Sequence, residues 1–133
     1  MNNLEHIGIA VKNLSNAIPL FEDLLNTDCY KEELVESEAV KTAFFSVGSQ
    51  KIELLESTDP DGIIARFIKK KGEGIHHIAF AVSDIQSEIK RLVDKGFVVL
   101  NEKPRPGADN KLVCFLHPKN TNGVLIELCM EKP

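Results

Sequence analysis

An internal repeat constrains this chain more than any other feature. His6-Ile7-Gly8-Ile9-Ala10-Val11 returns in the second half as His77-Ile78-Ala79-Phe80-Ala81-Val82. Each copy runs into a polar cap and then into apolar residues at helical spacing. The first helix is capped by Asn13 or Ser15 and carries Ile18, Phe21, Leu24 and Leu25; Pro19 lies near enough to its start to be tolerated. The second is capped by Ser83 or Asp84, carries Ile85, Ile89 and Leu92, and stops at Lys95-Gly96. Strand patterns follow each helix. In the first half they cover about 29–35, 40–47 and 51–56, with a turn at Gly48-Ser49. In the second they cover about 97–100, 112–116 and 124–130. The closing strands also correspond, Lys51-Ile52-Glu53-Leu54-Leu55 resembling Leu125-Ile126-Glu127-Leu128-Cys129 at a slightly longer offset than the histidine strands. The chain therefore reads as two βαβββ modules, about 1–58 and 75–133. Residues 59–74 join them through a helix bearing Ile63, Ile64, Phe67 and Ile68. A four-stranded sheet with one helix leaves a face uncovered, so the expectation is one α+β domain over residues 1–133, its sheets curving round a shared cleft.

Strand parity separates the two faces, because residues two apart share a side. His6 shares its face with Gly8 and Ala10, and His77 shares its face with Ala79 and Ala81. The bulky residues Ile7, Ile9 and Val11, and Ile78, Phe80 and Val82, point the other way, where a helix can cover them. The histidine faces are otherwise nearly bare, which leaves room for something that is not protein. Glu53 and Glu127 sit between large aliphatic residues, where a lone carboxylate would be unfavourable by several kcal/mol. A single histidine on a strand is most often structural, and each glutamate on its own could reach water from a sheet edge. Recurrence at equivalent places in a repeat argues instead for one purpose: His6, Glu53, His77 and Glu127 as ligands of one divalent metal ion. Two imidazoles and two carboxylates suit Zn, Co, Ni, Mn or Fe, and affinity rules do not choose among them. His76 has the opposite parity and no counterpart in the first copy, where Glu5 stands, and is read as non-ligating.

Charge and cysteine usage narrow the partners. A net charge of −4 argues against nucleic acid or an anionic membrane as the main partner. No apolar run approaches a membrane span, and Met1-Asn2-Asn3-Leu4-Glu5 has neither a basic nor an apolar leader region, so a cytoplasmic location is expected. The three cysteines, Cys29, Cys114 and Cys129, have no CxxC spacing and read as reduced thiols. By parity Cys129 shares the side of Glu127.

Several segments carry a family likeness. Leu4-Glu5-His6-Ile7-Gly8-Ile9-Ala10-Val11, Lys51-Ile52-Glu53-Leu54-Leu55-Glu56 and Gly72-Glu73-Gly74-Ile75-His76-His77-Ile78-Ala79-Phe80 resemble methylmalonyl-CoA epimerases. So do Lys103-Pro104-Arg105-Pro106-Gly107-Ala108, Leu116-His117-Pro118-Lys119 and Gly123-Val124-Leu125-Ile126-Glu127-Leu128. The likeness spans nearly the whole chain. The histidine strands alone indicate only the vicinal-oxygen-chelate (glyoxalase-like) superfamily; the Gly-Ile-His-His strand and the His-Pro-Lys to Val-Leu-Ile-Glu segment select the epimerase branch.

The resemblance implies the vicinal-oxygen-chelate fold, two βαβββ modules forming one curved sheet around a metal cleft. It implies His6, Glu53, His77 and Glu127 as ligands of one divalent ion among Co, Zn, Mn, Ni or Mg, in a homodimer acting on a CoA thioester. The family reaction interconverts (R)- and (S)-methylmalonyl-CoA through an enolate, which needs a proton-transfer group on each face of C2. Glu127 is the first candidate. Some relatives are thought to use a carboxylate on the strand before Glu53, but Val40-Lys41-Thr42-Ala43-Phe44-Phe45 offers none. Pseudo-symmetry nominates Glu53, although a tight ligand is a poor base, and the second base stays open. Lys103, Arg105, Lys111 and Lys119 are candidates for the CoA phosphates, against a reading of each as a solvated surface charge. His117 lies in a turn and is read as structural. The main alternative is a glyoxalase I type lactoylglutathione lyase, which shares the fold and proton transfer. An extradiol dioxygenase uses two histidines and one carboxylate with open positions, and a drug-sequestering binder needs no metal ligands; four intact candidates count against both.

Overall fold

The computed structural model describes all of residues 1–133. The chain divides into two compact units: His6–His76, and His77–Pro133 together with Met1–Glu5. The joining segment 59–74 thus counts with the first unit, and the first five residues count with the second.

The first unit is built from β1 (Asn3–Ala10, from His6 onward), α1 (Leu14–Leu25), β2 (Lys31–Val35), β3 (Val40–Val47), β4 (Gln50–Ser57) and α2 (Ile63–Lys71). Its strands lie in the order β2-β3-β4-β1, with β1 and β4 parallel and the other pairs antiparallel. Helix α1 begins because Asn13 accepts a hydrogen bond from the Asn16 N–H at 3.2 Å, while the Leu14 N–H donates to Glu56 Oε1 at 2.6 Å. It runs through Pro19, which removes only the bond to the Ser15 carbonyl, and stops where Asn26 turns left-handed at φ 52°. Its apolar side, Leu14, Ala17, Ile18, Phe21 and Leu25, packs with Val11, Ala43, Phe45 and Leu54. Phe45 and Leu54 are fully buried, each contributing about 1.5–3 kcal/mol of hydrophobic stabilisation. The strand expected from residue 29 begins at Lys31. The Cys29 N–H is drawn to Glu22 Oε2 of α1, at 3.0 Å, and does not enter the ladder.

The second unit repeats this plan with β5 (Gly74–Ala81, from His77 onward), α3 (Ile85–Asp94), β6 (Arg105–Pro106), β7 (Lys111–Leu116) and β8 (Ile126–Glu131). Their order is β5-β8-β7-β6, again with one parallel pair, β5 and β8, beside antiparallel ones. Asp84 is the cap of α3, accepting from the Ser87 N–H at 3.1 Å. Ile85, Ile89 and Leu92 bury against Val82, Cys114, Leu116 and Leu128. The first residues are tied in by the Asn2 N–H to the Ala81 carbonyl at 2.8 Å and by the Met1 amino group to Glu88 at 3.0 Å. Hydrogen bonds from Arg91 and that amino group hold the Glu88 carboxyl below the usual carboxylate range.

One expected strand is corrected. Residues 97–100 form no regular strand; only Val99 bridges Leu116. Pro104 and Pro106 cannot donate to a ladder, and the edge survives as the two-residue β6. The Asn101 side chain replaces the missing ladder bonds, donating to the Val113 carbonyl at 3.4 Å and accepting the Phe115 N–H at 3.3 Å. The last strand also starts later than expected, at Ile126, because Thr121 Oγ1 holds the Val124 carbonyl in the preceding turn. No helix is long and apolar enough to cross a membrane.

Candidate metal centre

Each unit carries one buried histidine–glutamate pair. In the first, His6 Nδ1 lies 3.2 Å from Glu53 Oε2, with both side chains 6% exposed. In the second, His77 Nε2 lies 3.2 Å from Glu127 Oε1, at 6% and 8% exposure. The strand register places them alike. Gly8 pairs with Glu53 across the parallel β1–β4 ladder, and Ala79 pairs with Glu127 across β5–β8. In both units the glutamate therefore sits beside a small residue two positions beyond the histidine, so no side chain on that strand screens the carboxylate from the imidazole.

The pairs fit a metal ion chemically. A neutral imidazole nitrogen and a carboxylate oxygen present lone pairs to each other, an arrangement that is stable only with a proton or a cation between them. Two donors each about 2.1 Å from one divalent ion lie roughly 3.0–3.4 Å apart for octahedral to tetrahedral angles. Both pairs fall in that window. Their burial leaves water little share in compensating the carboxylate charge, which raises the value of a cation there.

Sequence reasoning missed the wall of each half-site. Phe44 pairs with Glu53 across β3–β4, and Phe115 pairs with Glu127 across β7–β8. Each carboxylate is thus flanked by a small residue on one strand and a phenylalanine on the other. The Phe115 ring meets His77 edge-on at 5.8 Å; Phe44 is fully buried, with Tyr30 at 6.0 Å and Lys31 Nζ 4.9 Å from its centroid. The offset from Phe44 to Phe115 is the offset from His6 to His77, so the repeat carried the signal.

Thr42 shares the strand face of Phe44. It is 1% exposed, and its hydroxyl has no hydrogen-bond partner. A hydroxyl buried in that state costs about 1–3 kcal/mol.

The other expected residues divide. Lys103, Arg105 and Lys119 are exposed, all in the second unit. Lys111, expected beside the CoA phosphates, is instead buried, its ammonium 2.6 Å from Glu131 and 3.8 Å from Asp109. His117 accepts the Lys119 N–H at Nδ1, 3.0 Å, and starts the short helical turn after β7. His76 stacks edge-on against Phe67 at 5.0 Å, and burial, then the nearby Lys71 charge, pulls its pKa down to about 4. Cys129 is buried on the face of Glu127 with Ala79 and Val113. Burial pushes the Cys114 thiol up to about 11.

With this geometry in place, comparison with known proteins is decisive. Residues 5–115 match the Glyoxalase/Bleomycin resistance protein/Dioxygenase superfamily. The chain is 36% identical over 129 residues to the mitochondrial methylmalonyl-CoA epimerase of Dictyostelium discoideum, covering 96% of this chain and 78% of that one. The protein belongs to the methylmalonyl-CoA epimerase family. An uncharacterized Bacillus subtilis protein, YqjC, is 41% identical over 132 residues, 99% of this chain and 94% of that one. A solved structure of a Streptomyces coelicolor methylmalonyl-CoA epimerase variant, in complex with 2-nitronate-propionyl-CoA, superposes with a TM-score of 0.94 at 32% identity. That match covers 98% of this chain and 95% of the other. The α+β architecture of this family member is the vicinal-oxygen-chelate fold that the family resemblance implied.

Proposed function

We propose that this member of the epimerase family interconverts (R)- and (S)-methylmalonyl-CoA by moving a proton at C2. The observation that carries the reading is the duplicated, buried His–Glu pair: His6 with Glu53 and His77 with Glu127. The four residues are proposed to hold one divalent ion between them. When bound, such an ion would act as a Lewis acid, stabilising the negative charge that develops on the thioester oxygen.

The chain's own residues do the rest. Glu127 is the base that takes the C2 proton from one face, and Glu53, its repeat counterpart, is the proposed acid that delivers a proton to the other face. In the reverse direction the two exchange roles, and each resets its protonation through solvent between turnovers. Phe44 and Phe115 flank the two carboxylates, so the proton delivered to C2 comes from a protein carboxyl group, which takes up solvent deuterium between turnovers. Lys103, Arg105 and Lys119 are the proposed contacts for the CoA phosphates, with Lys111 committed to Glu131.

The reading draws support from the relative's complex with a nitronate-bearing propionyl-CoA. A nitronate is a planar anion of the shape and charge of an enolate. The test uses metal-reconstituted protein in deuterated water, with C2 exchange and inversion of methylmalonyl-CoA followed by NMR. Metal-dependent exchange with inversion is expected, at one ion per chain. Lactoylthioester formation from methylglyoxal and glutathione, with no C2 exchange, would transfer the protein to the lyase reading.

A further inference from the structure

We infer that the Thr42 hydroxyl is a substrate-positioning group, donating a hydrogen bond to an oxygen of the bound acyl group. The inference rests on the proposed reaction and deepens it. Three observations carry it. Thr42 is 1% exposed and its Oγ1 has no hydrogen-bond partner. Its strand, β3, runs beside β4 with Phe44 opposite Glu53 and Thr42 opposite Leu55, so alternation puts Thr42 on the face of the Glu53 carboxylate, away from the side buried by α1. The third comes from the repeat.

Thr42 and Val113 stand at the same offset that relates His6 to His77 and Phe44 to Phe115. Val113 is 3% exposed and pairs with Cys129 on the face of Glu127. Threonine and valine have nearly the same shape. The packing job at this place is therefore done by a methyl in one module, while the other carries a hydroxyl that destabilises the folded chain unless something meets it. Nothing in the protein does so. An acyl group bearing a carboxylate and a thioester oxygen supplies the acceptors that a hydroxyl donor on this face lacks.

Thr42→Val keeps the volume and removes only the donor. The expected result is a melting temperature equal to or above that of the unsubstituted protein, unchanged metal content, and a fall in kcat/KM of about 10- to 100-fold, the range for a hydrogen bond to a charged group. Thr42→Ser should recover most of the loss. A loss confined to KM would assign the bond to the substrate carboxylate, and a loss in kcat would assign it to the oxygen where enolate charge develops. Thermal stabilisation by methylmalonyl-CoA should shrink in Thr42→Val as well, a readout independent of turnover. An active Thr42→Val protein with unaltered kcat/KM and ligand-induced stabilisation overturns the inference and leaves the epimerase reading intact. An unsubstituted protein that neither exchanges C2 nor is stabilised by methylmalonyl-CoA overturns both.

Discussion

The two modules agree in their His–Glu pairs and diverge at their edges and in the side chains around the pairs. Their His–Glu pairs have the same 3.2 Å separation, closely matched burial and the same register, although one imidazole uses Nδ1 and the other Nε2. Their outer edges differ. The first module ends in a regular pairing of β2 with β3 along the whole of β2; the second has a proline-broken edge in which one bridge, a two-residue strand and the Asn101 side chain stand in for a ladder. Side chains around the pairs differ too: threonine against valine at 42 and 113, and a fully buried phenylalanine against a half-buried one at 44 and 115. Duplication has preserved the His–Glu pairs, while the side chains around them differ.

The largest test of that equivalence removes one imidazole at a time. His6→Ala and His77→Ala should each lose bound metal and about a thousand-fold or more of the C2 exchange rate, with folded far-UV circular dichroism retained. Metal loss in only one of them would break the symmetry of the site. A smaller contrast separates the carboxylates. Glu127→Gln should lower turnover by about 10²- to 10⁴-fold, the range for a lost general base, and Glu53→Gln by less, since a tight ligand is the poorer base. Equal losses in the two enantiomer-resolved assays would make both glutamates bases of the same standing.

Stability offers a third comparison. Leu54 and Leu128 occupy equivalent places in the closing strands, and both are fully buried in the clusters under their helices. Each Leu→Ala change should cost about 2–5 kcal/mol by urea unfolding; a clear inequality would show that one helix closes more readily over the cavity. The smallest effects lie at the edges. Asn101→Ala removes the bonds that stand in for a strand and should cost about 1–2 kcal/mol. On the regular edge, Lys41→Ala removes only an exposed pair with Glu32 and should cost under about 0.5 kcal/mol. Asn101→Ala without measurable loss would mean that the Val99 bridge alone holds that edge.

Much of this was legible from the repeat. Strand parity put His6, Glu53, His77 and Glu127 on bare faces, and the structure pairs them within each module. Capping residues marked both helices: Asn13 and Asp84 are the caps among the alternatives considered. Residues 97–100 misled, because apolar alternation cannot report that this segment meets β7 only through the single bridge Val99–Leu116. The sequence did not show the partner of Lys111: only the β7–β8 pairing of Lys111 with Glu131 brings an acid to its ammonium.

Periodicity and recurrence are local properties of a chain, so the sequence by itself determined the two βαβββ modules, the face each candidate ligand occupies and the family. Tertiary structure decided which side chains meet. The close His–Glu contacts, the phenylalanines opposite the glutamates and the unpartnered Thr42 hydroxyl all depend on register between strands separated in sequence. A shift of one residue in that register would turn each of them to the opposite face.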